Sequence, residues 1–161
     1  MSGTSAEIDM EFVAPFIEAA TNVLVTMAQI EPWVGTPHLK DPGESMGDVS
    51  GFIGLTGKQI KGSLAVSFTK PAILYVASHM LGEAIHELDE TVADLVGEIT
   101  NIITGGAKKM LVDKGYKFEL SIPTTIIGQG HFITHKTKGS VVIVPLEIPE
   151  GKLFLELCFE K

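Results

Sequence analysis

Four residues set at steps of four, three and four in "DLVGEITNIITGG" could do chemistry together: Asp94, Glu98, Asn101 and Gly105. If the stretch is helical, about 100° per residue brings them within an arc of roughly 60°. Val92, Leu95, Ile99, Ile102, Ile103 and Met110 gather on another side, so Glu98 and Asn101 are expected as neighbours pointing away from the core. A carboxylate offers acceptors and negative charge; a carboxamide offers both a donor and an acceptor. Most exposed i, i+3 polar pairs only solvate a helix. Two features set this pair apart. Asn is a poor interior helix former because its amide competes for backbone groups, and glycine at 105 and 106 costs about 1 kcal/mol each against alanine. A helix that gives up stability to keep a smooth strip beside Glu98 and Asn101 suits the close approach of another backbone. Gly105 lies one turn beyond Asn101 on that strip. Gly106 falls on the core side, where close packing is its expected role.

The element that must hold the strip reads as a long helix, roughly Asp89 to Lys114, with Gly115 as its C-terminal cap. Upstream, Ile8, Phe12, Phe16, Val23, Met27 and Ile30 recur at helical steps, with Pro15 expected to kink that helix or mark a late start. Glu31 to Gly47, rich in proline and glycine, reads as a long connection with one short edge strand. "DVSGFIGLTG" and "IKGSLAVSFT" form a hairpin, and "KPAILYVASHMLG" a short helix with proline in its first turn and Gly82 near its end. Three strands follow: "YKFELSIPTTIIG", "GSVVIVPLEI" and "KLFLELCFE". The last alternates, with Leu153, Leu155, Leu157 and Phe159 on one face and Phe154, Glu156 and Cys158 on the other. This order predicts one α+β domain over residues 1–161, with helices layered on a mostly antiparallel sheet. Laying "IEAATNVLVTM" over "VGEITNIITGG" matches Asn22 with Asn101 and Ala19 with Glu98, which hints at a pseudo-twofold internal repeat.

Composition narrows the function. The 161 residues, 45% hydrophobic, can bury a core without a disulfide or metal staple. The single cysteine, Cys158, excludes an internal disulfide framework and a multi-thiolate zinc site, and points to a reducing, cytoplasmic setting. The first residues lack a basic segment followed by an apolar run, and no later run reaches membrane-spanning length, so neither a signal peptide nor membrane insertion is expected. A net charge of -8 repels a phosphate backbone and argues against nucleic acid; a cationic or basic-rimmed protein partner suits it better.

The strip resembles the signature of the CheC/CheX/FliY family of chemotaxis phosphatases: an acidic or serine residue, then Glu, then Asn, then a later proline. Here these are Asp94, Glu98, Asn101 and Pro123. The flanking "GFIGLTG", "KGSLAVSF", "ASHMLG" and "SIPTTIIGQG" are similar to the CheX branch, and the likeness runs from "EPWVGTP" to the strand after Pro123. The resemblance implies hydrolysis of the aspartyl phosphate on a CheY-type response regulator. Asn101 would orient the attacking water, and Glu98 would pair with the regulator's lysine. Asp94 and Gly105 would contact the partner; Lys108, near the strip, reads either as a charge that steers the partner or as a solvated lysine. A neutral carboxamide can hold water beside an anionic phosphoryl group where a carboxylate would be repelled. The chain would need no cofactor of its own, since Mg2+ would belong to the regulator's site. The resemblance also implies a homodimer joined through sheet edges, for which Lys152 to Glu160 could serve. Ala19 opposite Glu98 fits a member with one active site.

Other signals read as structural. His131 and His135 are expected as surface side chains, and His79 and His86 as capping or solvating a helix end. Cys158 reads as a small buried apolar group, and Trp33 as a packing anchor. "TGGAKK" lacks the spacing of a phosphate-binding loop. Beside the enzyme stand two alternatives: a docking module that binds a regulator or flagellar switch component without hydrolysis, and a structural homodimer whose strip contacts a second subunit.

Overall fold

Three helices lie over an eight-stranded antiparallel sheet in the computed structural model, which describes residues 8–41, 47–129, 131, 133–135 and 139–161. In chain order these are α1 (Met10–Met27), β1 (Trp33–Val34), β2 (His38–Leu39), β3 (Val49–Thr56), β4 (Lys61–Phe68), α2 (Lys70–Leu81), α3 (Glu90–Val112), β5 (Glu119–Leu120), β6 (Thr124–Ile127), β7 (Val141–Ile148) and β8 (Gly151–Glu160). The sheet runs β1-β7-β8-β4-β3-β5, with β2 also on β7 and β6 also on β3.

This order is internally repeated. Each half supplies a helix, an edge strand in two pieces and a hairpin: α1, β1/β2 and β3–β4, then α3, β5/β6 and β7–β8. The halves exchange edge strands, so β1/β2 lies on β7 and β5/β6 lies on β3, while β4 and β8 meet at the centre. Both split strands carry the same irregularity. From Leu120 to Thr124 is four steps, but their partners Leu55 and Phe52 are three apart, so one residue bulges. From Val34 to His38 is also four steps, against three between Leu146 and Ile143. A proline ends each bulge, Pro123 and Pro37, where a sheet edge tolerates a residue with no N–H. The duplication hinted at by the two "TN" pairs is therefore present in the topology.

One face of the sheet meets the helices. Leu153, Leu155 and Leu157 join Val49, Ile53, Leu64 and Val66 there, against Phe12, Phe16 and Leu24 of α1 and Val92, Val96 and Ile99 of α3. Asp9 caps α1 by accepting the Phe12 N–H, and Pro15 sits buried inside the helix. Met27, expected on the buried side of α1, is 40% exposed. By length and a mean hydropathy of 1.2, α1 is apolar enough to cross a membrane, contrary to the expectation that no segment would be; its buried face packs into this core.

On the opposite face of β8 Cys158 is buried, as expected, and Glu156 is buried as completely as Leu157 between them. Ile133 covers this face with His135, whose side chain is 2% exposed and lies between Ser63 Oγ (2.5 Å) and Glu156 Oε1 (3.0 Å). Lys40 donates to the same Glu156 oxygen at 2.7 Å. Burial pushes the Glu156 carboxyl up, but hydrogen bonds from His135 and Lys40, with the charge of Lys40, outweigh it and hold it below the ordinary carboxylate value. His131 accepts or donates at Ser50 Oγ, 2.6 Å away. These histidines are network members, His135 with its side chain buried and His131 half-buried, not the surface side chains expected. Nor is β8 an edge: its backbone pairs with β4 on one side and β7 on the other, so it has no free edge to pair with a strand of a second subunit.

The long connection contributes two edge pieces, β1 and β2, instead of one; its residues 42–46 lie outside the described residues. Trp33, expected as a packing anchor, is 79% exposed on that edge.

Candidate functional site

The helix that carries the strip is fixed at both ends by local chemistry. Asp89 Oδ1 accepts the Val92 N–H at 3.1 Å, and Glu90 places a further acid in the first turn, where the helix dipole favours it. At the other end the Tyr116 N–H returns to the Leu111 carbonyl, and Gly115 adopts φ +92°, which favours glycine.

Packing sets which face looks outward. The buried line is Val92, Val96, Ile99, Ile103, Ala107 and Leu111, with Thr100 and Thr104 beside it. Leu95, Ile102 and Met110, expected in the core, are only half-buried, so the helix is turned relative to the reading from apolar residues alone. Two threonines bring this about. Their hydroxyls donate to the carbonyls of Val96 (2.7 Å) and Thr100 (2.6 Å), one turn back, so both can be buried without an unsatisfied polar group. Thr100 then sits against Gly51 of β3, where a methyl group would collide with it and reach the Val96 carbonyl at 3.2 Å. Gly106 faces α1, where its methyl would lie 3.3 Å from Ala19 Cβ, which agrees with a packing role.

The opposite side holds the strip. Asp94, Glu98, Asn101 and Gly105 are all exposed, and the first three have no hydrogen-bond or ion-pair partner among the described residues. A Cβ built on Gly105 would meet nothing within 4 Å. Lys108 is placed differently. It is half-buried, and its Nζ lies 3.6 Å from Glu119 of β5, which ties the end of the helix to the sheet edge.

That edge borders the strip. Thr125 of β6 donates to the Ala93 carbonyl at 3.1 Å, and its hydroxyl lies 3.3 Å from where a Gly97 Cβ would be. With Thr125 beside residues 93 and 97 and Glu119 beside 108, the bulge at Ser121–Pro123 runs past the stretch of α3 that contains Asn101 and Gly105. Pro123 thus belongs to the strip's border by tertiary structure, twenty-two residues from Asn101. Ile122, 88% exposed, was not singled out in the sequence; a proline within a strand-like run was the signal that its surroundings are irregular.

The arrangement is open surface. A hollow of about 800 Å³ beside Lys58 and Lys117 reaches the bordering edge only at Glu119, and one of about 640 Å³ lies beside Trp33; neither is lined by Asp94, Glu98, Asn101 or Gly105. No three His, Cys, Asp or Glu side chains converge as metal ligands among the described residues. A carboxylate, a carboxamide and a clear gap on a rigid convex helix suit insertion into another protein's site more than enclosure of a small molecule.

Comparisons with known proteins converge. The family described as chemotaxis phosphatase CheX matches residues 49–147. Chemotaxis protein CheX from Vibrio vulnificus is 44% identical, with a TM-score of 0.89 over 93% of this chain and 99% of that one. A CheC-like superfamily protein from Shewanella sp. PV-4 is 45% identical, with a TM-score of 0.91 over 96% of this chain and 100% of that one. The chain is also similar to the CheX-CheY-BeF3-Mg+2 complex from Borrelia burgdorferi, at 31% identity and a TM-score of 0.78, covering 93% and 98%. Among curated proteins none matches.

Proposed function

This chain belongs to the CheX family of chemotaxis phosphatases, and from that premise we propose that it hydrolyses the aspartyl phosphate of a CheY-type receiver domain. The observation that carries the reading is the pairing of Glu98 and Asn101, exposed and unpartnered on a rigid helix, with open space at Gly105. Support for the partner comes from the Borrelia protein, whose complex holds CheY with BeF3, a phosphoryl mimic, and Mg2+.

Phosphoryl transfer needs positioning and charge stabilisation more than covalent chemistry from the protein. Asn101 inserts its carboxamide beside the phosphoryl group and holds a water in line with the phosphorus. It is neutral, so it approaches the anionic group without repulsion. Glu98 accepts a hydrogen bond from the receiver's lysine and fixes the two proteins in register. Asp94 extends the acidic flank of that contact, and Gly105 leaves clearance for the receiver's backbone. Lys108 is held to Glu119 beside the site, from where its charge acts on the approaching partner. The Mg2+ belongs to the receiver, and the chain supplies no cofactor. Cytoplasmic residence agrees with this role and with the lone, buried Cys158.

We also propose that the chain is a homodimer joined at its β1/β2 edge. The β5/β6 edge borders the strip, so pairing there would crowd the receiver; the other edge carries Trp33 at 79% and Val34 at 40% exposure.

The phosphatase reading is tested by charging a CheY-type receiver with a small phosphodonor, adding the protein substoichiometrically and following loss of phosphate. Accelerated decay with turnover is expected. Binding without acceleration would leave only the docking-module alternative.

A further inference from the structure

We propose that Ile122 is the apolar anchor by which the receiver is held on the strip, a specificity-determining residue distinct from the pair assigned to chemistry; the assignment rests on the phosphatase reading above. The first observation is exposure. At 88%, Ile122 is more exposed than any other large apolar side chain among those described, and it lies on the bulge between Glu119 and Thr125, the two residues that hold this sheet edge against α3. A buried isoleucine would need no explanation, but one this exposed loses the stabilisation that burial gives.

The second observation is that the backbone holds it there. The Ser121 N–H donates to the Gly54 carbonyl at 3.0 Å, and Ser121 Oγ accepts the Gly54 N–H at 2.8 Å. The same hydroxyl donates to the Ile122 carbonyl at 3.4 Å. Pro123 restricts the residue before it to extended conformations. Ile122 is therefore presented on a clamped bulge, with little ordering entropy left to lose on docking. Bulges commonly re-aim a side chain next to a functional site.

The third observation is the internal repeat. The other half has the same one-residue bulge and the same proline, Pro37, yet the residue before it is Thr36. The bulge does not require a large apolar side chain. Isoleucine occurs in the half whose helix carries both Glu98 and Asn101, and threonine in the half where Ala19 stands opposite Glu98. An exposed aliphatic group held between a hydrogen-bonded serine and a proline has the form of an interface anchor, which buries itself against an apolar patch of the partner.

The test compares wild type, Ile122→Ser and Ile122→Leu. Binding to a BeF3-activated CheY-type receiver with Mg2+ is measured by calorimetry, and kcat and KM are measured with the phosphorylated receiver. Ile122→Ser is expected to raise Kd and KM about 10- to 100-fold while kcat stays within about twofold, and Ile122→Leu to restore most of the affinity. Thermal unfolding is expected to be unchanged in both, since the side chain touches little of its own chain. Wild type that does not accelerate decay would remove the phosphatase reading and this assignment with it. Accelerating wild type with Kd unchanged in Ile122→Ser, or a loss confined to kcat, would overturn the anchor alone.

Discussion

Gly105 separates stability from function more cleanly than the other two glycines of α3, Gly97 and Gly106, where an added Cβ would press on Thr125 and Ala19. A Cβ there meets nothing within 4 Å, so Gly105→Ala adds no clash and restores the helix propensity that glycine lacks, about 1 kcal/mol. For a chain of this size that raises Tm by roughly 2–4 °C. Gly51→Ala is the internal control: its methyl would collide with Thr100, so overpacking of about 1–3 kcal/mol should lower Tm and loosen α3 from β3. Gly105→Leu also keeps the fold, but it fills the gap left for the receiver. If that interface repacks as a core does, about 1–3 kcal/mol is lost in the transition-state complex, a fall of about 5- to 150-fold in kcat/KM. Calorimetric Tm and receiver dephosphorylation would be measured on the same preparations. A Gly105→Ala variant less stable than wild type would refute the open-space argument. A fully active Gly105→Leu would refute the clearance role.

Two further predictions concern other parts of the molecule. The folded-state pKa of Glu156 lies below its unfolded value, so the group stabilises the fold above the ordinary carboxylate range and that stability is lost as pH falls through the folded value. Lys40→Met, which leaves the 1%-exposed carboxylate with His135, should cost about 3 kcal/mol at pH 7, with the difference from wild type shrinking as pH falls through and below the ordinary carboxylate range; equal denaturant midpoints at pH 7 would contradict this. Trp33→Asp should convert a dimer into a monomer in sedimentation velocity without loss of fold, whereas an unchanged dimer would place the contact elsewhere.

How legible the site was depended on the range of the forces that shape it. The strip could be read because Asp94, Glu98, Asn101 and Gly105 share one helix, whose period is fixed by local hydrogen bonding and whose ends are marked by Asp89 and Gly115. The rotation of that helix was read less well. Apolar residues alone put Leu95, Ile102 and Met110 inside, but Thr100 and Thr104 could be buried once their hydroxyls turned to the preceding carbonyls and Gly51 made room. The back of the sheet was not legible. Whether Glu156 faces water depends on Lys40, 116 residues away in sequence, and on His135 arriving from another segment. The split of "YKFELSIPTTIIG" into β5 and β6 is a mismatch of register with β3, which becomes visible only when the strands are paired. Ile122 went unnoticed for that reason, although Pro123 beside it marked the place.

The central claim is that Asn101 acts on the attacking water and not on binding. Measuring kcat for dephosphorylation and Kd for the BeF3-activated receiver, in wild type and Asn101→Ala, tests it most directly. Loss of a group that positions the nucleophile should lower kcat by about 100-fold or more while Kd changes by less than about threefold. A variant that keeps its kcat, or loses activity only because it no longer binds, would contradict the account.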